Sequence, residues 1–295
     1  MVLVILLLAY VIRRKLDRQG AYSADGFWRA WFQQGATSKA GHETSPTRGY
    51  ALVVLPAICL VLLTVLAEQL GFRLAVYPLE MVLLVLLMGV PGWQESLKAY
   101  SEAWGHGDMQ GAWHHVKDRL PADERGAAVS PEVMHLSVSK ALIVNVFDRF
   151  FLVVFWYVVG GIGAAVLARG VSALAEHWPQ AGARPGYRKL TFWVGWIPAR
   201  LLACTFGVAG DLSGWSRKVR QVLPGLKKST TEVLMISANG SLTGYALDPE
   251  RFSELHPADW PSFGGRSLIA IRDLLSRSML VWICAIALLV IAGVV

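Results

Sequence analysis

The chain is short of charge. Only 17% of its 295 residues are Asp, Glu, Lys or Arg, and 54% are hydrophobic, a balance too apolar for an ordinary soluble domain. Cysteine is scarcer still: Cys59, Cys204 and Cys284 all lie inside apolar segments and lack metal-ligand spacing. Adjacent His114 and His115 point in different directions on a helix, and His106 sits in a glycine-rich turn, so no metal site is expected. There is no Ser/His/Asp set, Walker loop or HExxH motif, and no repeat or low-complexity tract. The "GGIG" at 160–163 lacks the strand–turn–helix context of a dinucleotide loop. No cofactor and no catalytic residue is expected from these patterns.

What the chain does have is long apolar runs. A bilayer core about 30 Å thick needs roughly 20 helical residues at about 1.5 Å each. Tyr50 to Ala67, Phe150 to Ala168 and Met279 to Val295 carry no charge, Leu74 to Trp93 only Glu80, and Leu190 to Gly210 only Arg200. The expected fold is all-α: a polytopic membrane bundle forming one domain over 1–295, with spans at 50–70, 74–93, 141–168, 190–210 and 279–295. "MVLVILLLAYVI" reaches only about 18 Å as a helix and is expected to be a retained short anchor over 1–12.

The net charge of +7 is read as topology rather than as nucleic-acid binding. Lys and Arg number seven in 13–49, five in 94–140 and nine in 211–278, but one in 68–78 and four in 169–189. The positive-inside rule therefore assigns the first three segments, with amphipathic interfacial helices, to the cytoplasm. Trp93 and Trp215 are expected at the cytoplasmic interface, and Trp178 and Trp193 at the outer one. Within 211–278, the stretch around Asn239-Gly240 reads equally as a short helix or a hairpin.

Polar residues inside the runs call for partners. A straight helix holds Arg200 about 15 Å from either face, where an arginine costs ~2.5–3.5 kcal/mol on insertion scales. Pro198 removes a backbone donor two residues earlier and predicts a kink. Asp148 and Arg149 head the apolar run, with Asn145 one turn earlier on the same face. If the preceding "ALIVNVF" inserts, Asp148 reaches the depth of Arg200. The cluster Asn145, Asp148, Arg149 and Arg200 has a cationic excess that suits an anion; a structural ion pair is the equally weighted alternative. Gly160 and Gly161 with Ala164 and Ala165 give small residues four apart, read as helix packing.

"NVFDRFFLVVFWYVVGGIGAAVLARG", followed by "WIPARLLA", resembles the CobD/CbiB superfamily of polytopic bacterial inner-membrane proteins across nearly the whole chain. One branch is a synthase that joins an aminopropanol phosphate to adenosylcobyric acid in an ATP-dependent ligation. The other is the AmpE family, described as a signalling modulator of AmpC β-lactamase induction and encoded beside the AmpD amidase. Asn145, Asp148, Phe155-Trp156, Gly160-Gly161, Arg169 and Pro198-Ala199-Arg200 match the synthase pattern. Its acids do not: Val144, Ser172 to Ala175, Thr191 and Phe192 stand where that pattern has acidic and amide groups. Magnesium-assisted phosphoryl chemistry needs such oxygen ligands, so the resemblance favours AmpE and a non-catalytic, regulatory protein. It implies Arg169 as a further member of the cluster, a muramyl-peptide or nucleotide signal, and a functional link to AmpD. A residual synthase and a transporter remain as alternatives, the latter needing a homodimer to enclose a path.

Overall fold

The computed structural model describes residues 1–18, 24–36, 46–89, 93–121, 124–125, 130–219, 228–243 and 246–294. Among these the regular structure is helical throughout. Four helical stretches, Thr47–Gln69, Pro131–His177, Ala181–Ala209 and Pro257–Ile291, are long and apolar enough to cross a membrane. The chain divides into two compact units: Met1–Pro91 with Asp148–Pro198 and Ile286–Val295, and Gly92–Phe147 with Ala199–Ala285.

In the first unit, α1 (Val2–Arg18) extends well past the anchor expected over 1–12. Helix α2 (Ala24–Gly35) lies inside the expected polar segment 13–49, and α3 (Pro46–Gln69) and α4 (Arg73–Leu87) form the hairpin expected over 50–93. Helix α4 stops at Leu87, about 22 Å long, and Gly89 follows with a φ of +105°. A Cβ there would lie 1.7 Å from Arg13 Nε. The backbone therefore favours glycine there, and a side chain would also have to displace the Arg13 guanidinium.

The second unit contains α5 (Trp93–Gly105), α6 (Met109–Val116) and α7 (Pro131–Val146). Ser130 caps α7 by accepting from Val133 N, and Pro131 occupies its first turn, where a missing N–H costs nothing. Helix α11 (Thr230–Ser241), capped by Ser229, settles the ambiguity at Asn239-Gly240 in favour of helix; "LPGLK" at 223–227, just before it, lies outside the described residues. Helices α10 (Leu212–Val219), α12 (Pro249–Leu255) and α13 (Trp260–Ile291) complete the unit, the last extending into the first unit from Ile286. A buried relay joins its parts. Tyr100 meets His135 Nδ1 at 3.0 Å, His135 Nε2 meets Ser267 Oγ at 2.9 Å, and Ser267 donates to Ala246 O. Ser267 spends its proton on that carbonyl, so Nε2 is the protonated nitrogen and Nδ1 accepts from Tyr100.

Helix α8 (Leu152–His177) is not the single crossing expected over 141–168. Gly160 (φ −137°, ψ 16°) and Gly161 (φ 71°, ψ −169°) break it into two helical arms. Residues on the two arms meet: Arg149 and Arg169 reach the same Asp25 carboxylate, and Asp148, just before the first arm, lies beside Ser172 on the second. Twenty-four residues of straight helix would separate them by about 36 Å, so the arms fold back on each other. Small residues let the second arm press on α3, since a Cβ on Gly163 would lie 2.2 Å from Val61 Cγ2 and one on Gly170 2.5 Å from Val53 Cγ1. The packing role expected of Gly160 and Gly161 thus falls to Gly163 and Gly170. Ala165 is buried in the second arm and Ala164 touches the turn, its Cβ 2.8 Å from where one on Gly160 would be.

The fold-back also corrects the expected sidedness of 169–189. Phe32 of α2 packs on Trp178 at 5.9 Å, and Gly49 at the start of α3 abuts Tyr187. Segments 13–49 and 169–189 therefore meet at one end of this unit. Trp178, expected in an outer aromatic belt, is fully buried there.

Two prolines inside helices carry the same repair. In α9 (Arg184–Ala209), Pro198 cannot donate to Val194 O, and the Trp156 indole donates to that carbonyl at 3.1 Å. In α3, Pro56 leaves Leu52 O free, and Trp31 of α2 fills it at 3.1 Å. An unsatisfied carbonyl at membrane depth is costly, so each indole replaces the missing amide. Trp156→Phe is expected to lose about 1–3 kcal/mol of stability. Pro198→Ala restores the amide donor, so the loss should shrink in the double variant; equal losses with and without Pro198 in a thermal-unfolding cycle would refute the coupling.

Candidate functional site

The fold-back brings two buried arginines onto one carboxylate. Arg149 arises in the π-helical turn Phe147–Phe151, an i→i+5 distortion frequent at functional sites. Arg169 projects from the second arm. Arg149 Nη2 lies 2.7 Å from Asp25 Oδ2, and Arg169 Nη2 lies 3.4 Å from Asp25 Oδ1. Asp25 sits in the first turn of α2, where a carboxylate also complements the helix dipole. Arg149 Nη1 further donates to Gly89 O at 3.3 Å, tying the site to the end of α4.

Around this contact the charges alternate. Arg169, with its side chain 1% exposed, also reaches Glu176 Oε2 at 3.4 Å and Ser172 Oγ at 3.2 Å. His177 Nε2 lies 3.3 Å from Glu176 Oε2 and 3.6 Å from Asp25 Oδ1, outside hydrogen-bond geometry. Asp148 is buried beside Ser172. Three carboxylates thus surround two guanidiniums and one imidazole, so the cationic excess expected from Asp148, Arg149 and Arg200 is absent from this cluster. The donor atoms of Asp25, Glu176 and His177 lie within 4.8 Å of one another, a spacing compatible with a metal ion. Arg169 Nη2 stands 3.4 Å from both carboxylates, however, and already fills the cation's place.

Burial by itself raises the Asp25 pKa, but the His177 contact and the Arg149 and Arg169 charges prevail and hold its carboxyl well below the usual aspartate range. The folded value lies below the unfolded one, so the stabilisation is complete above the unfolded value, about 3.9, and is lost as pH falls toward the folded one. The melting-temperature gap between wild type and Asp25→Asn should therefore narrow as pH falls from about 5 to about 2. A gap that stays constant across that range would show that the Asp25 charge does not support the fold.

Of the residues singled out in the sequence, Asp148, Arg149 and Arg169 come together in this cluster. Asn145 and Arg200 belong to the other compact unit. Asn145 donates at 2.8 Å to Ala141 O on its own helix, and Arg200 is buried in α9 just after Pro198. Glu80, on α4, accepts from Tyr157 at 3.0 Å. Asp25, Glu176 and His177 were missed. Their one sequence signal is at Asp25, followed by Trp28 and Phe32 at helical spacing: a short helix with one aromatic face to bury.

The chain is 26% identical over 289 residues to the "Cobalamin biosynthesis protein CobD" of Stutzerimonas stutzeri (strain A1501), covering 91% of this chain and 84% of that protein. No solved structure matches it. The family model described as "Regulatory signalling modulator protein AmpE" matches residues 1–295. With that match running from end to end, the chain belongs to the AmpE family.

Proposed function

We propose that this protein is a non-catalytic, multi-pass regulatory protein of the bacterial inner membrane that binds an anionic small molecule at the Arg149–Arg169 pair. The observation that carries the reading is the state of Arg149. Its side chain is 7% exposed, its Nη2 is engaged by Asp25, and its Nε is buried without an acceptor among the described residues. Guanidiniums bind carboxylate and phosphate through two parallel N–H groups, so half of this fork stands ready. Asp148 and Ser172 beside the pair would orient the ligand. The family suggests a muramyl peptide or nucleotide, a role in β-lactamase induction and cell-wall recycling, and a functional link to AmpD. The basic segments 13–49, 94–140 and 211–278 would then face the cytoplasm, where such ligands occur.

Native mass spectrometry of the detergent-extracted protein tests this reading. Wild type and Arg200→Met should retain a co-purifying anion that Arg149→Gln loses. A bound anion kept by Arg149→Gln, or none in wild type after incubation with muramyl peptides and nucleotides, would sink it. The synthase reading is favoured only by the relative named above; turnover of ATP with an aminoalcohol phosphate would establish it.

A further inference from the structure

Among the described residues, contacts of several kinds hold helix α2 to its unit. Trp28 and Phe32 bury their rings, Trp31 donates to Leu52 O, and Asp25 meets the arginine pair. The last contact is incomplete. Asp25 takes Nη2 of Arg149 but not Nε, and its approach to Arg169 is 3.4 Å, longer than a strong charge-assisted bond. Nor is there charge to spare for a second anion. With Asp25, Asp148 and Glu176 already around two guanidiniums and the His177 imidazole, the cluster has no cationic excess left for an added anion unless one carboxylate leaves. Asp25 is the one that can leave. It sits on a separate short helix, whereas Asp148 belongs to the same continuous chain of helix as Arg149 and Glu176 to the arm that carries Arg169.

We propose that Asp25 is an internal stand-in for the ligand and that α2 is the plug it carries. A phosphate or carboxylate group on a small molecule takes both Nε and Nη2 of Arg149 together with Nη2 of Arg169, displaces the Asp25 carboxylate and releases α2. A singly charged group leaves the charge balance of the cluster unchanged. The inference rests on the anion-binding reading given above and adds what binding does: it converts occupancy of a buried pair into freedom of one helix.

Hydrogen–deuterium exchange of the full-length protein in detergent, titrated with inorganic phosphate, reads both steps. Phosphate should raise exchange in 24–35 of wild type and leave α3 protected. Asp25→Asn should show raised exchange in 24–35 without phosphate and bind phosphate at least tenfold more tightly by calorimetry, while Asp25→Glu restores wild-type behaviour. Phosphate binding that depends on Arg149 but leaves 24–35 protected would overturn the plug and spare the site. No phosphate binding by either wild type or Asp25→Asn would overturn both. Should Asp25→Asn fail to fold, the wild-type titration decides, since exchange in 24–35 either follows phosphate or does not.

Discussion

Replacing Arg169 with methionine is expected to destabilise the protein by about 3–5 kcal/mol, the cost of breaking a buried ion pair from one side. Arg169 is the most enclosed of the charged side chains in the cluster and compensates Asp25 and Glu176 at once. Methionine keeps much of the volume but removes the guanidinium that stands between the Asp25 and Glu176 carboxylates. The measurement is thermal unfolding in detergent. Coupling supplies a sharper check: in a cycle with Asp25→Asn the double variant should lose less than the sum of the singles. Strict additivity would mean that Arg169 acts by packing alone.

The second large effect belongs to Gly161. With φ of 71° and ψ of −169° it occupies a backbone region essentially closed to other residues, and nothing lies within 4 Å of where its Cβ would be. Gly161→Ala therefore meets no clash; its cost, about 1–3 kcal/mol, is backbone strain. That strain favours straightening α8, which would carry Arg149 and Arg169 toward the roughly 30 Å separation of a continuous helix. Spin labels placed on the two arms should report a longer distance in Gly161→Ala than in wild type. Gly160→Ala provides the contrast, because its φ is accessible to alanine and its cost comes instead from a Cβ 2.8 Å from Ala164 Cβ, a clash without backbone strain. Equal distances and equal stability in wild type and Gly161→Ala would remove the strained turn as the cause of the fold-back.

Much of the helical content was legible because bilayer thickness and backbone hydrogen bonding leave a long apolar run few alternatives. Pro198 announced a free carbonyl, although not the indole that fills it. The polar residues behaved differently. Asp148 and Arg149 were recognisable as residues in need of partners, since ionic groups in apolar surroundings require them, but the partners lay elsewhere in the chain. Asp25 is 124 residues from Arg149 and 144 from Arg169, and no periodicity links positions so far apart.

The glycine pair shows why. A Gly-Gly within an apolar run serves equally to let two helices approach and to reverse the chain, and composition does not separate these uses. The sequence by itself determined that the protein is helical, lives in a membrane and buries a few ionic groups, because those outcomes follow from transfer free energies of residues taken one at a time. Only the tertiary structure decided that α8 folds back, that Arg149 and Arg169 share Asp25, and that segments 13–49 and 169–189 meet. Those outcomes depend on the φ and ψ of one glycine and on contacts across more than a hundred residues, where the free energy belongs to pairs.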